Sequence, residues 1–133
     1  MRECVKKFNP DSEYFFHEGC FIIEMLNDSE DQGVSVARAR VGPGFSTKNH
    51  RLRGIMERYL ILEGEGVATV GTLDPRTVGA GDMVVIPPYC PQRITNTGCT
   101  DLIFLVICTP RFQDSCYEEI DNNTNGKLPW MKS

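Results

Sequence analysis

Between Gly44 and Gly66 the chain reads GFSTKNHRLRGIMERYLILEGEG, which sets one imidazole, His50, seven residues ahead of one carboxylate, Glu57, with the aromatic Tyr59 just beyond. An imidazole and a carboxylate anchor a divalent ion when other ligands join them, or serve as polar contacts in a ligand cavity. Both readings stay open on these residues alone. The other histidine, His17, has no partner at ligand spacing and reads as an ordinary strand-edge residue. No nucleophile and base are spaced for acyl transfer, and no glycine-rich phosphate loop occurs. The six cysteines show no C-x-x-C spacing, so free thiols are expected.

These side chains need elements to position them. Strand signals recur along the chain between Gly, Pro, Asn and Asp clusters, and no long stretch holds a 3.6-residue period, which predicts an all-β protein. The expected strands are GCFIIEML, GVSVARARV, STKNHRLR, ERYLILEG, GVATVGTL, GDMVVIPP, PQRITNTG and TDLIFLVICT. Short antiparallel strands in this number close as a sandwich or barrel. Alternation places His50 and Leu52 on one face, and Glu57, Tyr59 and Ile61 together on one face of the next strand. Residues Tyr59 to Leu62 are apolar on both faces, as are MVVIP and LIFLVI, so the outer face needs a cover. A second copy is the economical cover, giving an expected homodimer; the N-terminal strands are the alternative.

A length of 133 residues predicts one domain over 1–133, with a barrel core at about 35–110, N-terminal strands at 12–27 and a tail at 113–133. Within the tail, QDSCYEEID is expected to form a short helix capped by Asp114 or Ser115, and Trp130 to dock. No apolar run spans a membrane and no secretory leader is evident, so a cytoplasmic protein without a membrane partner is expected. The net charge of −4 argues against a nucleic-acid partner. Arg38 and Arg40 share one parity in SVARARV, opposite Ser35, Ala37, Ala39 and Val41. If they face inward they clamp a carboxylate or phosphate; if the small residues face inward they make room for a ligand.

With these residues placed, the chain resembles the small single-domain cupins, whose fold is a jelly-roll barrel, or double-stranded β-helix. Gly44, five residues, His50-Arg51-Leu52, four residues, Glu57, six residues and Gly64 reproduce the first cupin motif with Leu52 in place of its second histidine. Gly81, five residues, Pro87-Pro88-Tyr89, two residues, Gln92, three residues and Asn96 reproduce the second, with Tyr89 for glycine and Gln92 for histidine. The resemblance implies a metal set reduced to His50, Glu57 and Gln92, so the expected cofactor is either none or a weakly held divalent ion such as Mn, Fe, Ni or Zn.

Two functions follow. In the first, the barrel binds a small polar or anionic molecule through His50, Glu57, Tyr59 and Gln92, helped by Arg38 and Arg40 if they face inward. In the second, the protein is a metal-dependent oxygenase or isomerase acting on a small organic acid or sugar. A fold that hosts many activities does not choose between them.

Overall fold

The computed structural model describes residues 1–120. The elements of the expected C-terminal tail beyond that point, including Trp130, lie outside the described residues. The strands are β1 (Tyr14–Phe16), β2 (Cys20–Leu26), β3 (Ser35–Val41), β4 (His50–Leu52), β5 (Met56–Glu63), β6 (Glu65–Val70), β7 (Arg76–Gly79), β8 (Met83–Ile86), β9 (Gln92–Asn96), β10 (Leu102–Thr109) and β11 (Tyr117–Glu119). They form two antiparallel sheets. One runs β1-β2-β3-β10-β5-β8 and the other β11-β4-β9-β6-β7. No described helix is long and apolar enough to cross a membrane.

The core lies between the sheets, where alternation sends Ala39 and Val41 of β3, Tyr59 and Ile61 of β5, Ile94 of β9 and Phe104 of β10. Burying each large apolar side chain contributes about 1.5–3 kcal/mol relative to exposure, so this inward set fixes the strand register. A one-residue slip would expose all of it. At the β5–β6 corner Gly64 has φ +84°, and a Cβ there would lie 2.5 Å from the Asp101 carbonyl oxygen. Only glycine serves both demands.

Tyr89 has φ +65°, the one described non-glycine residue with positive φ. It stands where the second cupin motif has glycine, so the backbone retains the left-handed turn although the side chain disfavours it. Tyr89 is exposed, which gives its ring room in that conformation.

Several elements differ from expectation. STKNHRLR contributes only the three residues of β4, with an isolated bridge from Ser46 to Thr95. The stretch between the expected strands GVATVGTL and GDMVVIPP forms a further strand, β7, against β6. The expected helix after Phe112 is a single 3-10 turn, Asp114–Cys116, preceded by Gln113 without a side-chain cap, and then β11 pairs with β4. Tertiary contacts override local preference here: Glu118 pairs with Arg51 and Arg53, and Glu119 with Lys48.

β1 and β2 extend the larger sheet beyond β3 and do not lie over β5, which removes them as the cover for the outer face of YLIL. On that face Leu60 stands opposite Met83 and Leu105, while Arg58 stands opposite Val85 and Ile107. Leu62, Met83 and Val85 are exposed.

Candidate functional site

His50 and Gln92 are direct cross-strand partners on β4 and β9, and both point into the barrel. Glu57 and Tyr59 point in from β5 on the opposite sheet. The four side chains are almost fully buried, so each polar atom needs a partner. Gln92 supplies two: its Nε2 donates to Glu57 Oε1, and its Oε1 accepts from the Tyr59 hydroxyl at 2.5 Å. Glu57 is thus held by an amide, whereas its sequence neighbour Arg58 turns away to donate to Thr109 Oγ1 at 2.7 Å.

The fifth member of the site is Glu18, which motif spacing does not reveal. It sits in the tight turn between β1 and β2, closed by Gly19 N–H to the Phe16 carbonyl at 2.9 Å. Lys48 N–H donates to the Glu18 carbonyl at 2.7 Å, which fixes the turn beside β4. From there the Glu18 carboxylate reaches His50 Nε2 at 2.9 Å, while His50 Nδ1 lies 2.6 Å from the Lys48 carbonyl. Both partners only accept. Both ring nitrogens must therefore donate, and His50 is an imidazolium.

Electrostatics agree with that assignment. Burial works to lower the His50 pKa, but the charge and hydrogen bond of Glu18, the charge of Glu57 and the Lys48 carbonyl outweigh it and lift the value to about 9. Burial likewise works to raise Glu18, yet His50 holds its carboxyl below the ordinary carboxylate value. Glu57 goes the other way: burial pushes it up to about 7, with the charge of Glu18 adding to the push and His50 and Gln92 opposing it. Tyr117 of β11 stacks on His50, with ring centroids 5.2 Å apart. Its hydroxyl is buried with no hydrogen-bond partner.

Glu18 and Glu57 face a cavity of about 50 Å³ that is also lined by Tyr14 and Phe16 of β1 and Ile22 and Glu24 of β2. Arg38 and Arg40 do not reach it. They lie on the outer face of β3, where Glu13 accepts Arg40 Nη2 at 2.7 Å and lies 3.5 Å from Arg38 Nη1, and Arg40 also packs over the Phe21 ring. The small residues of β3 take the inward face, with Ser35 and Ala37 lining the cavity. His17 is on the surface, 3.3 Å from Asp114.

A divalent ion does not fit this donor set. Among the described residues no group of three or more His, Cys, Asp and Glu side chains is gathered to hold a metal. The His50 nitrogen that faces the site is protonated and committed to Glu18, and Leu52, buried on the same face, offers no electron pair. Gln92 has its carbonyl taken by Tyr59.

Comparison with known proteins bears on the fold and the family. The chain is 35% identical over 101 residues to an uncharacterised protein of Methanocaldococcus jannaschii, a match covering 74% of this chain and 80% of that one. It is 39% identical over 71 residues to an oxalate-binding protein of Thermotoga maritima, covering 53% of this chain and 58% of that protein. An uncharacterised conserved protein with a double-stranded β-helix domain from Klebsiella pneumoniae superposes with a TM-score of 0.71 at 15% identity, over 88% of this chain and 98% of the other, a likeness of fold alone. The family model described as the cupin domain matches residues 37–108, a span that begins after Glu18 and ends before Tyr117. A two-sheet β-barrel with both motifs at their spacings and that match in sequence places the chain in the cupin family.

Proposed function

We propose that this cupin binds a small, non-anionic polar molecule in its barrel without a resident metal. The observation that carries the reading is the hydrogen bond from His50 Nε2 to Glu18, which spends the imidazole on a protein carboxylate. Among the described residues that line the cavity, none is Lys, Arg or His, so an anion would meet carboxylates without a compensating charge. That favours the polar half of the sequence expectation over the anionic half. Glu57, Glu18 and Ser35 supply the polar contacts.

The test is metal content. After dialysis against EDTA, the natural protein retains far less than one equivalent of Fe, Mn, Ni or Zn, and His50→Ala changes this little. Leu52→His combined with Gln92→His restores two nitrogen ligands, and that variant is expected to retain about one equivalent. A second reading, a metal-dependent oxygenase or isomerase, draws support from the likeness to the Thermotoga maritima oxalate-binding protein. One equivalent held by the natural protein and lost in His50→Ala would favour it.

We further infer a homodimer through the outer face that carries Leu60, Leu62, Met83 and Val85. Sedimentation at roughly tens of micromolar is expected to give twice the monomer mass, and Met83→Glu, opposite Leu60, to give monomer, because an apolar interface tolerates no unpaired charge. A monomer in the natural protein would contradict the inference. Free thiols at all six cysteines suit a cytoplasmic setting.

A further inference from the structure

The cavity combines two kinds of side chain whose joint presence narrows the ligand class. Its walls include three aromatic rings, Tyr14, Phe16 and Phe112, and three carboxylates, Glu18, Glu24 and Glu57. Only Glu18 has a cation for a partner, the imidazolium of His50. Glu57 is bonded to an amide, and Glu24 accepts a hydrogen bond from the Tyr14 hydroxyl at 3.2 Å. Two carboxyl groups with neutral partners therefore face one small cavity next to aromatic faces, and a cation beside Glu57 favours the ionised form of a group that burial pushes up to about 7.

Resting on the barrel-binding reading above, we propose that the ligand class is a small organic cation, an ammonium or quaternary ammonium compound, whose charge sits between Glu24 and Glu57 and against the ring of Phe16. Aromatic faces attract a cation through their quadrupole, and the carboxyl groups of the cavity, Glu57 buried and Glu24 exposed, add a charge attraction that a neutral molecule does not feel. Ile22, Val106 and Cys108 give the lining an apolar part that suits the carbon skeleton of such a compound, while Asn27 and Ser35 add polar edges. Phe16 is held in place by edge-on contacts with Phe112 and Tyr117, at centroid distances of 5.9 and 5.4 Å, so the aromatic wall is built before any ligand arrives.

The test compares isosteres by calorimetry on the full chain. Ethanolamine and choline serve as cationic probes, 3,3-dimethyl-1-butanol as the uncharged carbon isostere of choline, glycerol as a neutral polyol and oxalate as an anion. Choline or ethanolamine is expected to bind at least ten-fold more tightly than 3,3-dimethyl-1-butanol, with no binding of oxalate. Glu24→Gln and Phe16→Leu are each expected to weaken the cationic probe five-fold or more; Glu24→Gln leaves the alcohol unchanged, and thermal unfolding confirms that both variants are folded. Equal binding of choline and its isostere overturns the proposal, as does a cationic probe indifferent to Glu24→Gln. If glycerol binds and the cations do not, the cation class falls while barrel binding stands. If oxalate alone binds, both fall.

Discussion

Glu18→Leu lowers the stability of the folded protein by about 3–5 kcal/mol near neutral pH, the loss that follows when one partner of a buried ion pair is removed. The leucine fills the space but leaves His50 Nε2 without an acceptor in a site where the ring is 1% exposed. His50 then escapes part of the cost by losing its proton, since burial alone drives its pKa downward. Glu18→Gln keeps an acceptor for Nε2 and is expected to cost less, about 1–2 kcal/mol. The ordering of the two variants separates a paired charge from a mere packing position. Thermal unfolding reads it, with the melting temperature of the leucine variant lower by roughly 10 °C or more. If both variants unfold within about half a kcal/mol of the natural protein, as surface substitutions do, the ion pair is not a structural element of the barrel.

Glu57→Gln has the opposite sign above neutral pH. The folded protein holds the Glu57 carboxyl at about 7 against an ordinary 4.5, so folding favours its proton. The stability linked to this group is fully present below about pH 4.5 and is lost as pH rises through 7. At about 1.4 kcal/mol per unit the loss approaches roughly 3 kcal/mol by pH 8. His50, raised from 6.5 to about 9, adds a second loss that begins above 6.5 and continues through 9. Glu18 acts in the other direction: its contribution is present above 4.5 and disappears as pH falls through its depressed value. Stability is therefore highest in mildly acidic solution and declines toward pH 9. A glutamine at position 57 accepts from Gln92 as the protonated carboxyl does but cannot ionise. Denaturant titrations from pH 5 to 9 are expected to show the natural protein declining across this whole range, and the variant flat up to about pH 6.5, where the loss linked to His50 begins. Parallel curves for the two proteins would rule out a buried, proton-holding Glu57.

The barrel and one wall of its site were legible because both rest on local rules. Alternation alone put Glu57, Tyr59 and Ile61 on one face, and the structure has them inward together. The resemblance put Tyr89 at a glycine position of the second motif, and the backbone there keeps a positive φ. The other wall depends on contacts that sequence spacing does not encode. Glu18 meets His50 across 32 residues, through a hairpin turn that matches no motif. Arg38 and Arg40 were ambiguous by parity, and what decides their outward face is Glu13, supplied by the segment before β1. In β11 the acidic run read as helix, because the propensities of Glu118 and Glu119 count locally while their partners Arg51, Arg53 and Lys48 lie more than 60 residues away. Residues flanking the family-matched span thus complete a site whose motif-borne half is recognisable, and the partner they give its imidazole is a carboxylate, a change from the metal that the motif resemblance implies.

That change is tested most directly at the imidazole. The chain has two histidines, so the ring nitrogens of His50 are resolvable by long-range proton–nitrogen correlation NMR, with His50→Gln assigning the signals. The Glu18 pairing predicts that both nitrogens of His50 carry protons at pH 7.5, with a titration midpoint near 9 that moves down in Glu18→Gln and is indifferent to EDTA. A His50 ring with one unprotonated nitrogen at pH 7.5, insensitive to pH until EDTA is added, would contradict the account and restore His50 to a metal.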